Sequence, residues 1–125
     1  MAPRTLDAGR VEAVEMLCEL IVPGSGRVGP AVYIDAVISG MPPEARDGAL
    51  ASIDALAPAA AQGADALARH ERTPEFGLVR ALAIEAYYSD FVAAGKEGPG
   101  AWTAIDFNSP LATRLDKDWS YLGIA

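Results

Sequence analysis

One cysteine and one histidine in 125 residues remove several classes of function before any pattern is read. A lone cysteine cannot close an internal disulfide, and one Cys with one His cannot make the common zinc spacings. Cations are scarce as well: Lys plus Arg is 10 against 17 Asp plus Glu, a formal net charge of -7. Such a chain repels phosphate backbones and no Lys/Arg cluster interrupts the field, so nucleic acid and anionic membranes are poor partners. No stretch approaches the roughly 18–20 apolar residues of a membrane span. A secretory signal needs a basic start, an unbroken apolar run and a small-residue cleavage site. Here Glu12, Glu15 and Glu19 break the first apolar stretch and no twin-arginine pair precedes it, so the sequence reads as cytoplasmic.

What is present is globular: 51% hydrophobic and 22% charged residues, in a length that suits one domain. Strand signals are almost absent and helical spacing dominates. Residues 7–22 predict a first helix with an apolar stripe of Val11, Val14, Leu17, Cys18 and Ile21. Glu12, Glu15 and Glu19 lie beside that stripe and read as a solvated face. Cys18, on the stripe, reads as a buried small hydrophobe rather than a reactive thiol. Pro30 suits the first turn of a second, short helix ending near Ser39, and Pro43 opens a third running to about Ala57. Its stripe is Ala49, Leu50, Ile53 and Leu56. Residues 58–72 are Ala-rich and weakly patterned, a mobile connector with one helical piece over 64–69. The best-marked start is Thr73-Pro74-Glu75, an N-cap, a first-position proline and an early carboxylate. That helix extends to about Asp90 or Ala94, is apolar on most of its circumference, and is expected at the centre of a bundle. The fold class is therefore all-α, a small helical bundle over residues 1–125. Core helices span about 7–94, and an irregular arm over about 95–125 carries Trp102, Phe107, Trp119 and Tyr121.

Two features invite chemistry. Gly24-Ser25-Gly26-Arg27-Val28-Gly29 spells G-x-G-x-x-G, but helical periodicity precedes it and no second strand comes after it. A dinucleotide site needs both strands, so the glycines read as a sharp turn between packed helices. On the central helix, Phe76, Arg80, Ala83, Tyr87 and Asp90 are spaced four, three, four, three and line one face. Arg80, Tyr87 and Asp90 could orient a substrate or move a proton, or form a satisfied polar patch gripping the C-terminal arm. His70, in the connector between Arg69 and Glu71, reads as solvent-exposed, and Glu85 is a further possible helper. No serine or cysteine has a base at a recognisable spacing.

Two stretches in a shared order carry a resemblance. Leu17-Cys18-Glu19-Leu20-Ile21-Val22-Pro23-Gly24 is followed by Val32-Tyr33-Ile34-Asp35. Later, Ala86-Tyr87-Tyr88-Ser89-Asp90 precedes Gly98-Pro99-Gly100-Ala101-Trp102 and Ile105-Asp106-Phe107. The order resembles the small third subunit of the gluconate 2-dehydrogenase family, with its "IP" turn, "YID" helix, "Y-S-D" helix end and Gly-rich "W-x-x-I-G" loop. It spans about residues 17–107. Asp106 stands where the family often has Gly, and the twin-arginine signal of exported members is missing.

The resemblance implies an accessory chain beside a large flavoprotein subunit of the glucose–methanol–choline oxidoreductase type. FAD and the oxidation of a sugar or alcohol then belong to the large subunit, and no cofactor or metal is expected on this chain. Tyr87, Ser89, Asp90 and Trp102 are carried over from the motif to arm docking and the partner surface. Phe107, Trp119 and Tyr121 join them on aromatic grounds. The alternative is a free-standing small lyase, isomerase or cyclase using Arg80, Tyr87 and Asp90, with His70 as a helper, since fold does not fix function. A homo-oligomeric interaction module also remains open.

Overall fold

A computed structural model of the chain describes residues 5–104 and 122–123. Among the described residues there are six α-helices, one 3-10 turn and no strand, so the fold is all-α. No helix among them is long and apolar enough to cross a membrane.

Helix α1 (Ala8–Ile21) starts where Asp7 accepts a hydrogen bond from Arg10 N at 2.8 Å, a side-chain N-cap. Its buried stripe is Ala13, Val14, Leu17 and Cys18, with Val11 and Ile21 half-buried at the edges. A 3-10 turn (Ser25–Val28) leads into α2 (Pro30–Ser39), with Pro30 in its first turn. Helix α2 is short yet almost wholly buried: Ala31, Tyr33, Ile34, Asp35, Ala36 and Ile38 all lie inside.

Helix α3 (Pro43–Gln62) corrects the sequence reading, because it passes through Pro58 rather than stopping near Ala57. A proline inside a helix removes one backbone hydrogen bond and costs about 3 kcal/mol or more. Here Pro58 and Asp54, whose carbonyl loses that donor, are both exposed, so water can serve the freed oxygen. On the opposite side Ile53, Leu56, Ala59 and Ala60 are buried against the bundle. Burying an aliphatic side chain the size of Ile53 or Leu56 contributes about 1.5–3 kcal/mol, and that packing carries the helix past the proline. The connector is accordingly short. Helix α4 (Ala64–Ala68) comes after α3 and Gly63 and buries Leu67.

Helix α5 (Pro74–Tyr88) begins as its cap chemistry requires, with Thr73 Oγ1 accepting from Phe76 N at 3.2 Å. It packs against α1, α2 and α3, the central place expected of it. It ends at Tyr88, short of Asp90, which takes a left-handed φ of 65°. That conformation is uncommon outside glycine, and Asp is among the residues that tolerate it. Helix α6 (Ala101–Ala104) then opens the arm with regular structure where irregular chain was expected. Phe91 meets Tyr33 of α2 edge to face at 5.4 Å, and Leu122 is buried in the same core. Phe107, Trp119 and Tyr121 lie outside the described residues.

Candidate functional site

The G-x-G-x-x-G segment is a tight turn that binds a carboxylate of its own chain. Gly24 and Gly29 have φ of 89° and 69°. Glu19, in the last turn of α1, accepts from Gly24 N and, at 3.3 Å, from Gly26 N. Glu15 reaches the start of α2 and accepts from Ala31 N at 3.3 Å. Burial raises the Glu15 carboxyl above its ordinary range, with the Ala31 bond and nearby Lys96 opposing that shift. The acidic face of α1 is solvated at Glu12 and Glu19, both exposed, and half-buried at Glu15; Glu19 also accepts from the glycine turn and Glu15 from the start of α2. The backbone N–H groups that a phosphate would need are held by these two side chains. At Gly29 an added Cβ would stand 2.8 Å from Ala93 Cβ, and Ala93 N donates to Val28 O at 2.8 Å. The turn is therefore closed against the segment after α5.

The motif residues at the end of α5 meet in a reciprocal clasp. Asp90, 5% exposed, accepts from Trp102 N at 3.1 Å through Oδ1 and so caps the first turn of α6. Trp102 Nε1 donates to Tyr88 O at 2.9 Å and satisfies a carbonyl at the end of α5. Gly100 makes the approach possible, since a Cβ there would fall 2.7 Å from both Asp90 Cγ and Asp90 O. Ser89 Oγ donates to Ala86 O at 3.3 Å within the same helix end. Tyr87 is buried, with its ring edge to face against Tyr88 at 5.1 Å. Arg27, reaching over from the 3-10 turn, donates to Tyr87 Oη at 3.4 Å and to Pro99 O, and its guanidinium lies 5.9 Å from the Tyr87 ring centre.

The expected face of Arg80, Tyr87 and Asp90 does not form as one surface. Asp90 lies beyond the helix rather than riding on it, because α5 ends first. Arg80 is exposed and lies seven residues, about 10 Å of helix rise, before Tyr87. It lines a cleft of about 280 Å³ with Phe76, Leu20, Ile21, Leu67 and Glu71, a lining that includes neither Tyr87 nor Asp90. Asp90 and Trp102 do come together, as the arm-gripping reading expected. His70 is half-buried rather than exposed, and its backbone shapes the turn before α5: its carbonyl accepts from Thr73 N and Oγ1 at 2.9 and 2.7 Å. Glu85 is exposed.

Two residues have structural weight that no sequence expectation assigned to them. Asp35, buried in α2, accepts from Thr5 N at 2.9 Å and Leu6 N at 2.8 Å and so fastens the N-terminal segment. Thr5 Oγ1 and Ser39 Oγ, 2.6 Å apart, extend the same seam. Asp35 is visible in the sequence as the end of Tyr33-Ile34-Asp35 and as a carboxylate set between Ile34 and Ala36, but neither signal names the N-terminal segment as its partner. Arg27 carries none beyond being the one cation of the glycine turn. Cys18 is buried and its thiol is pushed up to about 12, first by desolvation and then by Glu15 and Glu19. Among the described residues no three His, Cys, Asp or Glu side chains group to hold a metal ion. Comparisons with protein-family models, with curated proteins and with solved structures find no match to this chain.

Proposed function

We propose that this chain is a non-catalytic small subunit that stabilises, or assists the folding of, a large flavin-dependent dehydrogenase of sugars or alcohols. In this reading FAD belongs to the large subunit, and the pair is cytoplasmic. The observation that carries the reading is the clasp between α5 and α6. Every motif residue there joins one helix end to another or closes its own: Tyr87 through Arg27, Ser89 through Ala86, Asp90 and Trp102 through each other. That use suits an architectural part better than a site of turnover. The same corner presents Tyr88, 43% exposed, beside the half-buried Trp102. Tyr and Trp on rigid supports are the side chains that anchor protein–protein interfaces. A lyase, isomerase or cyclase built on Arg80, Tyr87 and Asp90 is less well supported, because Arg80 opens on a different cleft.

Co-expression with candidate large flavoprotein subunits, followed by size-exclusion chromatography read at the flavin wavelength, tests the proposal. Co-elution with a yellow partner is the expected result, and Tyr88→Ala should weaken it. A colourless 13.0 kDa species eluting alone, or an assembly of this chain only, refutes it.

A further inference from the structure

The cleft beside α5 has a composition that the clasp does not use. Its floor is apolar and comes from three helices: Leu20 and Ile21 of α1, Leu67 of α4 and Phe76 of α5. Two opposite charges, Arg80 and Glu71, stand on the same lining, and both are exposed. Neither side chain makes a hydrogen bond or an ion pair with any described residue, and they do not pair with each other. Three other arginines are engaged by contrast: Arg10 with Asp54, Arg27 with Pro99 and Tyr87, Arg46 with Ser39 and Met41. A cation and an anion that line one apolar cleft without pairing leave both charges available to a molecule that bears the two opposite ones. The volume, about 280 Å³, lies just below the range for drug-sized ligands and suits something smaller.

We propose that this cleft binds a small zwitterion with an apolar body, of the free apolar amino acid type. The carboxylate of such a ligand pairs with Arg80, a guanidinium suited to carboxylate geometry. Its ammonium pairs with Glu71, and its side chain lies on Phe76 and Leu67. The site is independent of the subunit reading, since it uses none of the clasp residues.

The test is a titration of the 15N-labelled full chain with L-phenylalanine, monitored by amide chemical shifts. Two analogues divide the charges: L-phenylalaninamide lacks the carboxylate and 3-phenylpropanoate lacks the amine. Saturable shifts centred on Leu67 and Phe76 are expected, with a Kd in the millimolar range. Each analogue should bind about fivefold or more weakly, as the loss of one partly exposed charge contact allows. Arg80→Gln should weaken L-phenylalanine yet leave L-phenylalaninamide unchanged, and Glu71→Gln should weaken L-phenylalanine yet leave 3-phenylpropanoate unchanged. Both positions are exposed, so the variants are expected to keep the wild-type spectrum elsewhere. No saturable shift by about 10 mM overturns the proposal. Equal binding of 3-phenylpropanoate and L-phenylalanine overturns it too, in favour of a simple carboxylate site. So does insensitivity to both substitutions.

Discussion

Gly100→Ala is the sharpest probe of the clasp. The added methyl would fall 2.7 Å from Asp90 Cγ and from Asp90 O, and one of those two atoms is backbone that cannot rotate away. Two losses result. Overpacking a closed contact costs about 1–3 kcal/mol. Displacing Asp90 from Trp102 N forfeits a hydrogen bond with a charged acceptor, worth about 1.5–3 kcal/mol. The two are alternatives in part, because moving Asp90 relieves the clash, so about 2–4 kcal/mol is the working figure. With a urea m-value of about 1.5 kcal/mol/M, the unfolding midpoint should fall by about 1.3–2.7 M. If the corner opens locally instead, the midpoint moves less and Trp102 emission shifts to the red before unfolding begins, read in a Trp119→Phe background. Gly98→Ala is the control. It has a φ of 95°, and its Cβ would meet only Arg27 Nη1 at 3.7 Å, an ordinary contact. Its cost is the backbone conformation, about 1 kcal/mol. A Gly100→Ala protein with the wild-type midpoint and wild-type Trp102 emission would refute the account of the corner.

Three further outcomes are expected. Gly48→Ala, in the exposed middle of α3 with nothing within 4 Å of the new Cβ, should raise stability by about 0.5–1 kcal/mol in the same urea assay. Arg10 holds the Asp54 carboxyl below its ordinary value, through bonds of 3.0 and 2.8 Å. A carboxyl whose folded pKa is depressed contributes stability above its unfolded pKa and loses it as pH falls through the folded one. Asp54→Asn should therefore flatten the loss of stability below about pH 4 while costing little at neutral pH, because the pair is exposed. Cys18, buried and with its thiol pushed up to about 12, should resist iodoacetamide at pH 8 in the folded chain and react on unfolding in urea; ready labelling without denaturant would contradict its burial.

Legibility tracked how local each cause was. The start of α5 could be read from Thr73-Pro74-Glu75 because a cap and its first turn are neighbours in sequence. Pro30 and Pro43 marked helix starts for the same reason. The passage of α3 through Pro58 could not be read, since it depends on which side of the helix α1 and α5 cover. Glu12 and Glu19 are exposed as the spacing suggested, but the bonds of Glu15 and Glu19 could not be read, because helical spacing says nothing about a chain that turns back over the helix it has left. The stripe from Phe76 to Asp90 failed at its last member for a similar reason. Asp90 leaves the helix in order to cap α6, and that demand comes from twelve residues downstream. The clasp itself was partly visible, since Tyr87, Ser89, Asp90 and Trp102 stand out together in the sequence. The close approach at Gly100 and the reach of Arg27 have no local signal.

The carboxylate of Glu19 over the amides of Gly24 and Gly26 bears on how glycine signatures are interpreted in helical proteins. A pattern such as G-x-G-x-x-G encodes a receptor for negative charge and leaves the donor of that charge unspecified. In this chain the charge is encoded five residues earlier, so receptor and occupant lie on one short segment. A carboxylate five residues upstream of such a pattern can thus fill the loop from its own chain, as Glu19 does here.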